Sequence, residues 1–502
     1  MNKLTNQRSL SRALPLCLGL LMSITGFGQE LKEGDVIWEF RVNDNESLNA
    51  STLDYDNNVY CTSSVNSDGS YSMKLYAVDG SNGLSLWTIP LVDHHIWRYA
   101  HINSNNLIYI VDNGRLLALN NETGTELWSR NSSFYSNASI DSDGTVYCST
   151  NSNVIFALDG ATGTVEWELN LERYSFPTFQ GSMIDQSNIY FYSTGDHPGG
   201  DAIIVSIDKG TEQMIWHTVN ERPRGASGKF FMLTPSIAAN NEIIFYDRIL
   251  DSLTGKIKRE PEPKFGVTLL GKMPFTFVNG PSNRIYGAKN TKYTSKKSVG
   301  VVVAYVGLYE NTIFETYLSK VVTQPPLIGD NGNIYVSTST STPSTVGLVA
   351  MDSGSGDIVW EHETTYTGIS IPYFSSYYNR PTIGSNGYLY SGLGNQLVAI
   401  KTSSNGAADS PWPMLDQNSQ RTGRAPAPVA DPIQINIPDK TASPFGISFK
   451  TNKKKNYEFQ ASADLKKWSS LQEVKGTGSD VKVSDWRKAI FQRQYYRIKV
   501  LD

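Results

Sequence analysis

The sequence is poor in cysteine, in charge and in long apolar runs, and each shortage excludes a class of protein. Three cysteines in 502 residues are too few for a disulfide scaffold. Charged residues make up only 18% of the chain and the net charge is −4, so a basic nucleic-acid-binding surface is not expected. Beyond residue 28 no apolar run is long enough to span a bilayer, and no transmembrane segment is expected in the mature chain.

The first 28 residues have the pattern of an export signal. Basic residues precede an apolar stretch over 13–27, and the small residues Gly26 and Gly28 stand at positions −3 and −1 of a cleavage site before Gln29. We therefore predict a signal peptide over 1–28. The expected destination is the periplasm, the outer surface or the medium.

A turn motif recurs eight times in the chain. Each copy has polar or glycine turn residues, then an apolar or β-branched residue, then an aromatic, as in Asp56-Asn57-Asn58-Val59-Tyr60. The copies occupy 56–60, 105–109, 143–147, 186–190, 241–245, 282–286, 331–335 and 386–390. Such a pattern predicts a hairpin between two strands, and its repetition predicts an array of similar units.

A second motif alternates with the first and reads Ala-x-Asp-x-x-x-Gly-x-x-x-Trp. It predicts a strand, a glycine-closed Asx turn and a further strand. Seven copies follow a first motif, and the eighth is split between Ala399-Ile400-Lys401 and Gly34-Asp35-Val36-Ile37-Trp38. We expect the aromatic residue to dock each unit onto its neighbour. The tryptophans concerned are Trp38, Trp87, Trp128, Trp167, Trp216 and Trp360.

These repeats predict an all-β fold with an eight-bladed β-propeller over 29–405. Joining the split motif would close the ring with the N- and C-terminal strands and hide their free edges. Residues 406–430 are rich in Ser, Asn, Gly, Ala and Pro and are predicted to be a linker. Alternating strands over 431–502 predict a small β-sandwich. From residue 427 onward 14 Lys and Arg face 8 Asp and Glu, so this module is basic.

The second motif, as in the segment Asn120 to Trp128, resembles the pyrroloquinoline-quinone-type repeat of eight-bladed quinoprotein alcohol dehydrogenases and their noncatalytic relatives. Pro411-Trp412-Pro413-Met414 and the run 420–424 resemble a tail motif of secreted proteins in this group. For an enzyme the resemblance implies an adjacent cysteine pair, a calcium site and an Asp base. The chain has no adjacent cysteine pair, and no calcium or base set can be matched residue by residue. The noncatalytic branch is therefore expected, without a cofactor.

Other chemical motifs are absent or incomplete. Cys61 and Cys148 occupy equivalent positions in two different units, so we expect two buried, unpaired thiols. The run 141–144 begins like a calcium loop but lacks the later ligands, and a hairpin turn is expected there. No zinc-binding His spacing and no nucleophile elbow occurs. No catalytic residue and no metal ligand is predicted.

The two motifs place their turns on one face of the ring, so the remaining connections share the opposite face, which we call the long-loop face. Long loops on a rigid scaffold are where binding residues concentrate, and aromatic and Arg side chains are typical of interface hot spots. The predicted binding residues are His94, His95, Trp97, Arg98, Arg173, Tyr174, Arg222, Arg224, Tyr373, Tyr377 and Arg380.

These features lead us to expect an exported, monomeric binding or scaffold protein whose partner is a protein or a polysaccharide. One alternative is a divergent quinone- or metal-dependent oxidoreductase, which would bind pyrroloquinoline quinone with calcium and place Arg, Asp and Asn side chains at the channel mouth. Another is an envelope assembly factor. Lipid attachment, which such a factor would use, fits poorly because bulky Leu16 precedes Cys17.

Overall fold

The computed structural model describes most of the chain after the predicted signal peptide. The described ranges are 30–67, 70–92, 99–193, 201–220, 234–238, 242–245, 248–259, 277–292, 298–307, 311–341, 344–365, 380–425, 435–437, 445–451, 455–463, 467–487 and 494–501. The chain divides into two compact units after Pro426, and each is described by itself.

Within the described ranges the first unit contains eight antiparallel sheets, numbered here as blades 1 to 8, with strands A to D in each. Strand order follows the chain in blades 1 to 7. Blade 1 is Glu46–Leu53, Val59–Ser67, Ser70–Val78, Ser85–Leu91; blade 2 is His101–Ile102, Leu107–Asp112, Arg115–Asn120, Glu126–Asn131; blade 3 is Ser139–Ile140, Val146–Ser149, Val154–Leu158, Val165–Asn170; blade 4 is Gly181–Ile184, Asn188–Ser193, Ala202–Asp208, Gln213–Asn220.

The remaining sheets continue this arrangement, and blade 7 has a divided innermost strand. Blade 5 is Ser236–Ala238, Glu242–Phe245, Arg248–Asp251, Ile257–Arg259; blade 6 is Val278–Asn279, Arg284–Lys292, Ser298–Val306, Asn311–Leu318; blade 7 is Val321–Val322 with Leu327–Ile328, Asn333–Ser341, Ser344–Asp352, Ile358–Thr365; blade 8 is Thr382–Ile383, Tyr388–Leu393, Gln396–Lys401 and Val36–Arg41. The described residues otherwise include two short 3-10 helices, Glu172–Tyr174 and Pro281–Asn283.

Blade 8 combines the two ends of the ring. Val36–Arg41 pairs with Gln396–Lys401, and Trp38 lies opposite Ala399. The Gly34 amide donates to the Lys401 carbonyl at 2.9 Å. The split eighth motif is thereby completed across the two termini, and the predicted closure of the propeller is confirmed.

The first motif forms the A–B turn, as blade 2 shows. Asn103 Oδ1 accepts hydrogen bonds from the amides of Asn105 at 3.0 Å and Leu107 at 2.9 Å, and Asn106 takes a positive φ of 58°. Asn103 Nδ2 donates to Tyr109 Oη at 2.9 Å. The polar residues therefore build the turn, while the aromatic residue fixes it to the following strand.

The second motif forms the C–D turn and joins each blade to the next. Trp128 Nε1 of blade 2 donates to Gly160 O of blade 3 at 2.9 Å, and Tyr109 Oη donates to the same carbonyl at 2.9 Å. Further tryptophans repeat this contact, with Trp38 donating to Gly80 O, Trp87 to Asn121 O and Trp216 to Ser252 O. The indole rings lie over the turn glycines, and Trp360 lies against Gly34 of the completed eighth motif.

The apolar core lies between neighbouring blades. Its clusters join residues of adjacent sheets, as where Tyr60 and Leu75 of blade 1 pack with Ile108 and Leu117 of blade 2. Cys61 and Cys148 are buried thiols that form no disulfide within the described residues, as predicted from their equivalent positions. Within the described residues no helix has the length and hydrophobicity to cross a bilayer.

The second unit contains two three-stranded sheets. The first has the order Ile435–Asn436, Phe445–Lys450, Asp480–Asp485, and the second has the order Ser469–Lys475, Asn456–Ser462, Tyr495–Leu501. Their shared core includes Ile447, Phe449, Tyr457, Phe459 and Val483. This arrangement agrees with the predicted small β-sandwich. The alternating patterns at 433–437, 457–461 and 495–500 indicate only three of its six strands.

Replacing a turn glycine that packs against a tryptophan is expected to destabilise the first unit more than replacing a turn glycine without such a neighbour. A Cβ on Gly124 would lie 2.7 Å from Trp87 Cε3, whereas a Cβ on Gly144 would meet nothing within 4 Å. Both residues have positive φ, 67° and 96°, so both alanine variants carry backbone strain of about 1 kcal/mol or slightly more. Overpacking against Trp87 adds about 2 kcal/mol in Gly124→Ala only.

The measurement is the free energy of unfolding in urea for the two variants. Equal losses in Gly124→Ala and Gly144→Ala would contradict tight packing of the tryptophan on the turn.

Candidate functional site

Residues 407–425 run through the centre of the ring, and we call them the axial segment. Its carbonyls accept hydrogen bonds from amides at or next to the ends of the innermost strands of blades 1, 2, 3, 4, 6 and 7, namely Leu53, Ile102, Ile140, Ile184, Asn279 and Ile328. Ser419 Oγ adds a hydrogen bond to Ile383 O of blade 8 at 2.6 Å. Strand A is the inner edge strand of its sheet, so a segment bonded to seven such strands lines the centre of the ring at the end where strand A leads into the A–B turn.

This finding corrects the predicted linker over 406–430. Trp412 and Met414 are each 1% exposed, and Arg421 is fully buried. The prediction was wrong for 407–425 because a composition rich in Pro, Gly and Ser was read as a solvated chain. The missed signal was the presence of Trp412, Met414 and Leu415, large apolar side chains that a solvated linker does not need.

Arg421 anchors the axial segment to two blades. Its Nε donates to Ser51 O of blade 1 at 2.9 Å, and its Nη2 donates to Arg380 O beside blade 8 at 3.3 Å. Nη1 donates to Leu415 O of the axial segment itself at 3.4 Å. A planar guanidinium can serve three carbonyls in different directions, which an ammonium cannot.

A buried polar cluster surrounds Arg421. The Arg380 and Arg421 guanidinium carbons lie 4.5 Å and 5.3 Å from the ring centroid of Tyr99. His101 Nδ1 lies 2.6 Å from Arg421 O, and because a carbonyl only accepts, Nδ1 carries the proton. Asp416 supplies the negative charge beside these groups.

Burial shifts the titration of this cluster. It lowers the pKa of His101 to about 4, although the Asp416 carboxylate acts in the opposite direction. It also lowers the pKa of Arg421 to about 10, and it raises the pKa of Tyr99 above its usual range. His101 is therefore neutral at pH 7.

The arrangement does not fit a quinone cofactor on the axis. The chain has no adjacent cysteine pair, and residues 407–425 line the channel at the end where the A–B turns begin. As the oxidoreductase alternative predicted, charged side chains do converge, namely Arg380, Arg421 and Asp416. They are only 4%, 0% and 7% exposed, however, and the Nε, Nη1 and Nη2 groups of Arg421 donate to backbone carbonyls. Across the described ranges no group of three or more His, Cys, Asp or Glu could hold a metal ion.

On the long-loop face, the connection between blades 3 and 4 presents a stack of aromatic and cationic side chains. Arg173 Cζ lies 4.8 Å from the ring centroid of Tyr174, and Arg173 Nη2 donates to Tyr174 Oη at 2.9 Å. Tyr174 and Phe176 are stacked with centroids 5.1 Å apart and an interplanar angle of 8°. His217 of strand D in blade 4 lies 5.1 Å from Phe176. We call these four residues the aromatic stack.

The loop that carries the aromatic stack is held in one shape by Asn153. Asn153 Nδ2 donates to Phe176 O at 2.8 Å, and Asn153 Oδ1 accepts from the Phe179 amide at 3.1 Å. Phe179 is fully buried in the core between blades 3 and 4. A loop fixed in this way loses little conformational entropy when it binds a partner.

The other predicted binding residues divide into two groups. Arg380 lies in the buried axial cluster, so its predicted position on the loop surface was wrong; the residue precedes strand A of blade 8, which lines the axis. Eight residues lie outside the described part of the chain, namely His94, His95, Trp97, Arg98, Arg222, Arg224, Tyr373 and Tyr377. The expected length of the B–C connections was also wrong in blade 2, where only Asn113-Gly114 links the strands.

Replacing the Arg421 guanidinium is expected to loosen the axial segment. Arg421→Lys keeps the charge but cannot bond the three carbonyls, so we expect the free energy of unfolding to fall by about 3 kcal/mol. Arg424→Lys, at a partly exposed position of the same segment, is the matched control and should change it by less than about 0.5 kcal/mol. Equal stability of the two variants in urea unfolding would show that Arg421 is no anchor.

His101 is expected to make the fold acid-sensitive. The unfolded chain binds this proton near pH 6.5 and the folded chain only near pH 4, so stability is full above about pH 6.5 and falls as the pH drops toward 4. The loss is on the order of 3 kcal/mol. Unfolding of wild type and His101→Asn between pH 7 and pH 4 tests this, and parallel pH profiles would contradict it.

Comparisons with known proteins agree with this architecture. A family profile described as outer membrane protein assembly factor BamB matches residues 73–237. No curated protein sequence matches the chain. Among solved structures, BamB from Moraxella catarrhalis is 16% identical with a TM-score of 0.48, and the match covers 73% of this chain and 99% of that one.

A second solved structure shows the fold. Quinohemoprotein alcohol dehydrogenase from Comamonas testosteroni is 15% identical with a TM-score of 0.50, and the match covers 81% of this chain and 79% of that one. Identity at this level bears on fold alone. Residues 73–237 thus match the repeat family described as outer membrane protein assembly factor BamB, and the fold of the chain is that of a PQQ-like β-propeller.

Proposed function

We propose that this chain is an exported, noncatalytic scaffold of the cell envelope that binds a protein partner through the aromatic stack on its long-loop face. The observation that carries the proposal is the stack itself, in which Arg173 and His217 flank Tyr174 and Phe176 on a loop fixed by Asn153. Arg173 and His217 are exposed, and Tyr174 and Phe176 are half-buried. Arg and aromatic side chains in a rigid setting are the usual anchors of protein interfaces.

Two further observations support this proposal. The axial segment lines the channel at the end where the A–B turns begin, which favours a surface rather than the axis as the place of binding. The repeats match a family described as an outer membrane protein assembly factor, which supports a role in the envelope and export by the signal over 1–28. We propose that the chain acts as a monomer.

Site-specific photo-crosslinking in the native host tests the proposal. A photoreactive phenylalanine analogue at position 174 should give one reproducible adduct, whereas the analogue at Tyr317, which is 59% exposed on the outer strand of blade 6, should not. Arg173→Ala should then weaken binding of the purified partner by about tenfold. Identical adducts from positions 174 and 317, or unchanged affinity of Arg173→Ala, would rule out the aromatic stack as the interface.

The absorption spectrum and metal content of the natively exported protein separate the scaffold from the oxidoreductase alternative. A scaffold gives a spectrum of aromatic side chains alone and no stoichiometric metal. A quinone chromophore with one calcium per chain would overturn the scaffold proposal.

A further inference from the structure

The second compact unit presents one tryptophan almost entirely to solvent. Trp486 follows the last residue of strand Asp480–Asp485 and is 78% exposed, more than any other large apolar side chain of the described residues. Exposing an indole of this size has a free-energy cost in water, so such a residue marks a contact surface more often than an accident of packing.

The backbone around Trp486 is held rigidly. The Asp485 carboxylate accepts hydrogen bonds from Arg487 Nε at 3.0 Å, Arg487 Nη2 at 2.9 Å and the Arg487 amide at 3.0 Å. It also accepts from Tyr496 Oη at 3.1 Å. Tyr496 stacks on Phe445 with centroids 4.4 Å apart, so the residues on both sides of Trp486 are tied to the core. The indole is therefore presented on a fixed platform.

The sheet surface next to Trp486 is flat and polar. Strand pairing places Gly446 opposite Ser484 and Ser448 opposite Lys482, on the face opposite the buried Ile447 and Val483. A Cβ on Gly446 would lie 3.1 Å from Ser484 Oγ and 3.7 Å from Lys482 Cε, so the glycine leaves room for both side chains to lie across it. We call Gly446, Ser448, Lys482, Ser484 and Trp486 the Trp486 face.

This combination favours a sugar polymer over other occupants. A sugar ring offers an apolar face that stacks on an indole, and hydroxyl groups that bond to short polar side chains. A bilayer would require several apolar residues level with Trp486, whereas the neighbouring outward positions hold serine, lysine and glycine. Lys482 lies in the strand that Trp486 directly follows, four residues away or about 13 Å of extended chain, which suits an oligosaccharide rather than a single sugar.

The charge of the unit indicates which sugar polymer. From residue 427 onward the chain has 14 Lys and Arg and 8 Asp and Glu. Lys482 and Lys450 are exposed on the outward face of the sheet, where the exposed Asp480 lies opposite Lys450, so two ammonium groups face one carboxylate. An ammonium on this face pairs with a carboxylate of the ligand. We infer that the Trp486 face binds an acidic polysaccharide of the uronic acid class.

Affinity electrophoresis of the full-length protein tests the inference, with polygalacturonate as the acidic polymer and dextran as the neutral one. We expect retardation by polygalacturonate and none by dextran. Trp486→Ala should weaken the apparent affinity by about tenfold, and Lys482→Ala should weaken it by severalfold with a smaller dependence on salt. Tyr317→Ala, at an exposed aromatic residue of the first unit, is the matched control and should bind as the wild type does.

Other outcomes would overturn the inference. Retardation that Trp486→Ala leaves unchanged would indicate nonspecific attraction of a polyanion to a basic domain. Equal retardation by dextran would exclude recognition of the carboxylate. Sedimentation with phosphatidylglycerol vesicles that depends on Trp486 would assign the face to a membrane surface instead. Because Trp486 is exposed, the variant is expected to keep the wild-type melting temperature.

Discussion

The contact between a tryptophan on the outer strand of one blade and the C–D turn of the next is the interaction on which the first unit depends. Trp128 donates to Gly160 O and covers Gly163, and the same contact recurs at Trp38, Trp87 and Trp216. Each contact joins two neighbouring blades only, so the ring is stable when the last blade also contacts the first. Pairing of Val36–Arg41 with Gln396–Lys401 provides that return, because it places Gly34 under Trp360.

The ring leaves the inner edges of its blades without strand partners, and the axial segment provides hydrogen bonds for them. A buried amide without a partner has a high free-energy cost, so a segment that bonds seven blades stabilises the centre as the tryptophans stabilise the rim. The same segment places Arg421 and Asp416 beside His101, whose own burial lowers its pKa although the Asp416 carboxylate acts in the opposite direction. Stability at the axis and availability of the channel for a ligand are therefore in competition.

The two surfaces proposed for binding are built in a similar way, although they lie on separate units. In each, an aromatic side chain, half-buried in the aromatic stack and exposed at Trp486, stands on backbone that hydrogen bonds hold, from Asn153 in the first case and between Asp485 and Arg487 in the second. Rigid backbone reduces the entropy lost on binding. The sequence shows the aromatic residues but not this rigidity, because Asn153 and Phe176 are distant in the chain and meet only after folding.

The sequence by itself determined the blades, their turns and the closure of the ring, because each motif acts over about ten neighbouring residues through turn chemistry and strand alternation. It also indicated Arg173 and Tyr174 as part of an aromatic and basic loop. Only the tertiary structure decided that 407–425 lines the centre of the ring, that Arg380 is buried and that Phe176 and His217 complete the aromatic stack. These features depend on contacts between residues far apart in the chain. The Pro, Gly and Ser content of 407–425 is that of a solvated linker, and only Trp412, Met414 and Leu415 indicate locally that the segment is buried.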